Sequence, residues 1–184
     1  VGGTFNILQA ARKKPEVRMV HASSGSVNNL STPYAISKMA GENYCQFFAK
    51  EWGVKVTVVR YYHVFGERQA IDGKSGVVNI FLNRILQGLS PVVWGSGIQL
   101  KKFTYVLDSV RATILLAQDD STIGKVYDIA SDENISIKEL AHLLIDKYAD
   151  DKSLKVVYDE PKIGENMQLF SDTTAIKALG WKAE

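Results

Sequence analysis

Val54-Lys55-Val56-Thr57-Val58-Val59-Arg60-Tyr61-Tyr62 is short, apolar and rich in β-branched residues. A run of this length and composition reads as a buried strand. Immediately before it Gly53 is a stop signal, and Thr32 to Trp52 carries Tyr34, Ile36, Met39, Tyr44, Phe47 and Phe48 at mixed three- and four-residue spacings. That periodicity predicts a long amphipathic helix. Earlier, after Pro15, Val17 to Ala22 is a second short β-branched stretch that ends in Ser and Gly, a strand running into a loop. Strand, helix, strand in this order implies a parallel sheet with helices on its faces. Open parallel sheets bind ligands at the carboxyl ends of their strands, so chemistry is expected just after Ala22 and Tyr61.

A reactive set stands at the first of those ends. Pro33-Tyr34-Ala35-Ile36-Ser37-Lys38 follows the small-residue run Ala22-Ser23-Ser24-Gly25-Ser26. Tyr and Lys four apart on a helix share one face. An ammonium beside a phenol favours the phenolate, which makes Tyr34 a candidate general acid or base with Lys38 as its tuner. Such a pair also arises in helices where a half-buried ring merely neighbours a solvated charge.

Composition sets outer bounds. The 184 residues, 46% hydrophobic and 23% charged, suit a globular protein of one domain or one and a half. No apolar run has the length of a membrane span and no basic-then-apolar leader opens the chain, so no membrane contact is expected. The single cysteine, Cys45, excludes an internal disulfide framework and falls on a helical pattern as a structural thiol. A reducing, cytoplasmic setting is the expectation. With a net charge of +2 and dispersed Lys and Arg, no nucleic-acid surface is expected either. The opening Val1 to Lys14 reads as a helix already under way, with Ile7, Leu8 and Ala11 on one face and no cap before it. The chain is therefore expected to be the carboxyl-terminal part of something longer.

From Gly66 the texture changes to a loop rich in Gly and charge, followed by an apolar helix over Val77 to Leu89. Residues 1–65 are read as a partial Rossmann-type domain and 66–184 as mainly a smaller α/β subdomain. Within the latter, Pro91 to Trp94, Phe103 to Val106, Gly124 to Ile129 and Lys155 to Tyr158 read as strands. Asp108 is expected to cap a helix over Ser109 to Ala117. Ser136 caps Ile137 to Tyr148, with Glu139 at the capping-box position. A last helix is expected over Thr173 to Leu179.

Five segments taken in order resemble the extended short-chain dehydrogenase/reductase family, specifically its nucleotide-sugar epimerases and dehydratases. Val1 to Leu8 is similar to N-V-x-G-T-x-N-V-L, and Val20 to Val27 to the strand end S-S-S-x-V-Y-G. Arg60-Tyr61-Tyr62-His63-Val64-Phe65-Gly66-Glu67-Arg68-Gln69 is similar to R-Y-x-N-V-Y-G-P-R-Q. Gly95 to Asp108 is similar to G-D-G-x-Q-x-R-D-F-x-Y-V-D-D, and Lys125 to Glu139 to the strand followed by S-I-x-E-L. The resemblance covers nearly the whole chain. It implies a doubly wound parallel sheet, NAD as cofactor, a UDP-hexose type substrate epimerised at C4, and a homodimer paired through helices like Thr32 to Trp52.

The resemblance also implies roles. Tyr34 would be the catalytic acid/base, Lys38 would bind the nicotinamide ribose, and Ser24 would hydrogen-bond the reacting sugar hydroxyl, with Ser23 beside the cofactor. Tyr61 would pack against the cofactor and Tyr62 against the sugar. His63, standing where an Asn is common, would contact cofactor and substrate diphosphate, and it has no partner ligands that would suggest a metal. Val77, Lys101, Phe103, Lys162 and Glu165 match positions that hold the nucleoside diphosphate. Lys101 and Lys162 replace arginines, so a fork that grips phosphate bidentately becomes a point charge.

Three departures matter. The Gly-rich turn that cradles the NAD pyrophosphate in this family has no counterpart in these 184 residues, so the chain by itself is expected to bind NAD negligibly. Between Val27 and Pro33 the family carries a Tyr-Gly pair and a loop, where this chain has only Asn28-Asn29-Leu30-Ser31-Thr32, a connection either shortened or interrupted. Family dehydratases place Asp-Glu next to the Ser/Thr position, whereas Gly25-Ser26 stand here, which disfavours water loss. Decarboxylation or reduction of a nucleotide sugar stays open, as does a truncated or degenerate paralogue that binds a nucleotide sugar or a partner without turnover.

Overall fold

In the computed structural model, which describes residues 1–70, 76–161 and 170–184, the strand, helix, strand unit is present. The chain forms two compact units. The first comprises Val1–Tyr62, Leu107–Ala130 and Phe170–Glu184, and the second His63–Val106 and Ser131–Leu169. The linear division expected after residue 65 compares with a first change of unit after Tyr62. The first unit then resumes twice, because later segments complete its sheet and cover one face.

The first unit is built on a parallel sheet of β1 (Arg18–Ser24), β2 (Lys55–Tyr61) and β7 (Val126–Ile129), in the order β1-β2-β7. Its helices are α1 (Gly2–Ala11), α2 (Pro33–Trp52), α4 (Val106–Gln118) and α6 (Thr174–Ala178), while Gly25–Asn28 is a single 3-10 turn. Strand β2 is buried on both faces, as its unbroken apolar run requires. Val56 and Val58 face one core with Leu8 and Ala11 of α1 and Cys45 and Phe48 of α2. Val59 faces the other, with Ala112 and Leu116 of α4, Tyr127 and Ile129 of β7, Ile176 and Trp181. Layers of helix, sheet and helix follow, the doubly wound α/β arrangement.

Local signals set the ends of α2. The Thr32 hydroxyl accepts from Ala35 N–H at 3.2 Å, Pro33 occupies the first turn where its missing N–H costs nothing, and Gly53 closes the helix at φ 64°. Cys45 is buried in this helix, and burial, reinforced by the charge of Glu42, pushes its thiol up to about 12, so it is inert.

The second unit contains α3 (Val77–Leu86) and α5 (Ile137–Tyr148), with Phe81, Ile85, Val93, Leu140, Ala141 and Leu144 in one core. Three short strand pairs belong to this unit among the described residues. Strand β3 (Val64–Phe65) pairs with β6 (Thr104–Tyr105), and β4 (Val92–Trp94) with β9 (Val157–Asp159), both parallel. The antiparallel pair β5 (Leu100–Lys101) and β8 (Ile135–Ser136) has no counterpart in the sequence reading. The capping box is present, Ser136 Oγ accepting from Glu139 N–H while the Glu139 carboxylate accepts from Ser136 N–H.

One expectation is corrected. Asp108 is not an N-cap: α4 begins at Val106, and Asp108 lies inside its first turn, buried. Its carboxylate is taken by Arg111 and by the Glu184 N–H, 3.3 Å away, and its carbonyl accepts from Trp181 Nε1 at 3.0 Å. The carboxyl-terminal segment is thus fastened to α4 by a residue that sequence assigns to the helix start. Among the described residues no helix is long and apolar enough to cross a membrane and no cluster of His, Cys and carboxylates could hold a metal.

Candidate active site

In the first unit the expected residues gather at the carboxyl end of β1. Tyr34 sits in the first turn of α2, the residue 54% exposed. Lys38 lies one turn later, its Nζ 5.8 Å from the Tyr34 ring centroid. The same Nζ donates to the Ala22 carbonyl at 2.8 Å. This bond uses one of three ammonium protons and pins Lys38 to the strand end, beside Ser23 and Ser24. Ser24 caps the 3-10 turn, its Oγ accepting from Ser26 N–H at 3.2 Å.

Beneath these side chains lies a charge network that sequence reasoning missed. Glu42, 1% exposed, is the next residue on the Tyr34–Lys38 face of α2. It accepts from Ser23 Oγ at 2.5 Å and from Arg60 at the end of β2, Nε at 2.8 Å and a terminal nitrogen at 2.6 Å. The fork matches the carboxylate bidentately, and this bond, first among the causes, raises the Arg60 pKa and keeps it cationic. Arg60 also reaches Asn28 at 3.4 Å and lies 3.8 Å from Asp128 of β7. Glu42 thus joins the helix that carries Tyr34 to two strand ends and the adjoining turn. A spacing of four from Lys38 was its only sequence signal.

The tyrosines at the end of β2 and just after it are more occupied than expected. The Tyr61 hydroxyl shares a hydrogen bond with Thr113 of α4 at 2.7 Å. Tyr62, read as a substrate contact, is 1% exposed. Its hydroxyl accepts from Asn28 Nδ2 at 2.9 Å, donates to Asp128 at 2.9 Å and lies 2.8 Å from the Phe170 carbonyl. Burial, then the Asp128 charge, pushes its phenol up, so it stays protonated. The ring also explains Gly25: a Cβ there would lie 2.3 Å from it. A side chain at position 25 would require the buried Tyr62 ring to shift.

His21 of β1 faces Gly41 of α2, where a Cβ would lie 2.8 Å from Nε2. That nitrogen is buried without a hydrogen-bond partner, and burial, aided by Lys38, lowers the His21 pKa. A helix-interior Gly costs about 1 kcal/mol relative to Ala, and here it makes room for the imidazole.

In the second unit His63, Val77 and Phe103 line one recess. The His63 and Phe103 rings are 5.5 Å apart. Lys101 is nearly buried on β5, next to them in its electrostatic influence. Burial first and Lys101 second hold the His63 pKa down to about 4. The unfolded chain takes up this proton near 6.5 and the folded chain only near 4, so the stabilising contribution is complete above 6.5 and lost as pH falls through that window. We expect unfolding in urea to show the protein ~2 kcal/mol less stable at about pH 5 than at about pH 7 from this group, a difference that His63→Asn removes. An unchanged pH dependence in that variant would contradict it. Lys162 and Glu165 lie outside the described residues.

Known proteins share this sequence pattern and this fold. Residues 1–130 match the NAD dependent epimerase/dehydratase family. The chain is 31% identical over 198 residues to a putative UDP-glucose 4-epimerase of Methanocaldococcus jannaschii, covering 99% of this chain and 63% of that protein. It is 36% identical over 158 residues to a UDP-N-acetyl-alpha-D-glucosaminuronate decarboxylase of Bacillus cytotoxicus, covering 76% of this chain and 48% of that one. The crystal structure of UDP-glucose 4-epimerase from Thermotoga maritima with UDP-glucose is similar at a TM-score of 0.87 and 31% identity, over 99% of this chain and 63% of that chain. The chain thus spans only part of the length of the relatives it matches. With a parallel α/β sheet, a Tyr-x-x-x-Lys helix at its strand ends and a family match that takes in most of its residues, this chain belongs to the NAD dependent epimerase/dehydratase family.

Proposed function

We propose that the whole protein interconverts the C4 epimers of a UDP-hexose, with Tyr34 as acid/base. The observation that carries this reading is Lys38, fixed to the Ala22 carbonyl at the end of β1 and beside the exposed Tyr34 ring. An ammonium with two unspent donor protons and a solvent-facing phenol fit the nicotinamide ribose end of NAD. When bound, that cofactor supplies a reversible hydride acceptor. Tyr34 Oη takes the proton of the C4 hydroxyl and returns it. Ser24 Oγ, at the strand end, orients the same hydroxyl. Tyr62 acts here by position, since its buried hydroxyl holds Asn28 and Asp128 in place. In the second unit His63, Val77, Lys101 and Phe103 would engage the nucleoside diphosphate, with Lys162 and Glu165 assigned to the same task from sequence. The test is a coupled assay of the whole protein with UDP-glucose, UDP-galactose and their N-acetyl and uronate forms. Conversion of none of them would reject the reading.

The decarboxylase of Bacillus cytotoxicus, 36% identical, favours one second reading, the loss of carbon dioxide from a UDP-uronate. The same assay separates it, because carbon dioxide appears only on that path.

Self-association through α2 is part of the proposal. Ile36, Tyr44, Phe47 and Trp52 are exposed on this helix, and a shallow recess there is lined by Ala40, Asn43, Tyr44 and Phe47. Size-exclusion chromatography with light scattering is expected to give twice the chain mass, and Phe47→Glu to give the monomer. A monomeric wild type would contradict the pairing.

A further inference from the structure

The 3-10 turn Gly25–Asn28, which Ser24 caps, carries the chain from the end of β1 toward the helix of Tyr34. Its start fixes the Ser24 hydroxyl, whose Oγ accepts from Ser26 N–H at 3.2 Å and donates to Ser26 Oγ at 3.1 Å. A 3-10 turn has poorer hydrogen-bond geometry than an α-helix, so one this short takes its position from its side chains and from what they meet. Both ends of this turn meet the same buried ring. At the first residue, the Gly25 backbone lies so close to Tyr62 that a Cβ would be 2.3 Å from Cε1. At the last, Asn28 Nδ2 donates to the Tyr62 hydroxyl at 2.9 Å. The turn is clamped on Tyr62.

The whole Asn28 amide takes part in this clamp. Its Oδ1 accepts from Arg60 at 3.4 Å, and Nδ2 donates both to Tyr62 Oη and to the Phe170 carbonyl, 2.9 Å away. Tyr62 has a single hydroxyl proton, and Asp128 Oδ2 takes it at 2.9 Å, which makes Asn28 the donor to that carbonyl. The same Asp128 oxygen accepts from Asp172 N–H at 2.9 Å, so the segment returning at Phe170 is fastened at two points. Asn28 thus joins its own turn to Arg60 of β2, to Tyr62 just after it and to that segment, all within the first unit. A polar network in which every member is satisfied rigidifies what it connects. Asn28 stands where the tyrosine of the family's Tyr-Gly pair would fall, so the family pattern does not supply this amide.

We propose that Asn28 is a positioning residue for the reaction: by clamping the turn on Tyr62, Arg60 and Phe170 it holds Ser24 Oγ where the reacting sugar hydroxyl meets it. This rests on the epimerase reading above. In this role Asn28 touches neither substrate nor cofactor. A shift of Ser24 by about 1 Å costs on the order of 10²-fold in rate, while binding made elsewhere on the ligand is unchanged.

The test is steady-state kinetics of the whole protein with NAD and UDP-galactose, with a urea unfolding curve of each sample. The variants are Asn28→Ala, Asn28→Asp, Ser24→Ala and the double variant Asn28→Ala with Ser24→Ala. Asn28→Asp keeps the size and an acceptor for Arg60 but has no N–H for the Phe170 carbonyl, so it serves even where Asn28→Ala folds poorly. Both Asn28 variants are expected to lower kcat about 10- to 100-fold at temperatures where they remain folded, with KM for UDP-galactose within about twofold of wild type. In the Ser24→Ala background, Asn28→Ala is expected to change kcat by no more than about twofold, because the group it positions is already gone. An equal loss of kcat in both backgrounds overturns the inference, as does wild-type kcat in Asn28→Asp or in Ser24→Ala. A rise in KM without a fall in kcat marks Asn28 as a ligand contact, and a loss confined to the urea midpoint marks it as structural; either result also overturns it. Wild type that leaves UDP-galactose and the other UDP-sugars unchanged removes the epimerase reading itself and this inference with it.

Discussion

Replacing Tyr34 by Phe is expected to lower kcat for the interconversion of UDP-sugars by about 10²–10⁴-fold, the range for losing a positioned acid/base group. The substitution deletes one oxygen from a residue that is more than half exposed and belongs to none of the cores described above. Stability and the affinity for UDP are therefore expected to stay level, which separates a chemical role from a structural one. Lys38 gives the complementary result. Its Nζ is bonded to the Ala22 carbonyl, so Lys38→Met removes both the charge beside Tyr34 and a tie between α2 and β1. The measurement is kcat in a coupled assay beside urea unfolding of the same samples. Full activity in Tyr34→Phe would exclude the assigned role.

The second large effect is on stability. Glu42→Gln is expected to destabilise the fold by about 3 kcal/mol, because removing one partner of a buried ion pair strands the other. Arg60 would lose its bidentate acceptor, and Ser23 its charged one. Replacing both residues with methionine is expected to recover most of that loss, since the desolvation of two charges is removed along with their attraction. Chemical unfolding of Glu42→Met, Arg60→Met and the double variant forms a cycle that isolates the coupling. Additive losses would show that the pair is not the unit described here. Because Glu42 also joins the Tyr34 helix to two strand ends, the Gln variant is expected to lose kcat at temperatures where it remains folded.

Much of this architecture is legible residue by residue, where local signals act alone. Thr32, Pro33 and Gly53 mark both ends of α2, and Ser136 with Glu139 marks the start of α5, because each cap is satisfied within a few residues. The continuous apolar run of β2 declares burial on both faces, as the two cores confirm. The Tyr34–Lys38 face is legible for the same reason: i to i+4 geometry needs no tertiary information.

What stayed hidden depends on distant partners. Asp108 reads as a cap, yet its carboxylate binds Arg111 and the Glu184 N–H, the second of which is invisible to a local reading. Glu42 looks like a solvated helix charge until Arg60, on a different strand, neutralises it. Tyr62 reads as a ligand contact from its place after β2, yet Asn28, Asp128 and the Phe170 carbonyl surround its hydroxyl. The left-handed conformations of His63 and Arg68 carry no compositional mark, since neither residue is Gly or Asn. Two-residue strands such as β5 and β8 are too short to show a period.

The most direct test of the central claim follows the hydrogen at C4. The whole protein, supplied with NAD and UDP-galactose carrying deuterium at C4, is expected to yield UDP-glucose with the deuterium still at C4. Retention means that the hydrogen leaves as hydride and returns to the same carbon while Tyr34 handles only the hydroxyl proton. Deuterium lost to solvent, or no UDP-glucose at all, would contradict that account.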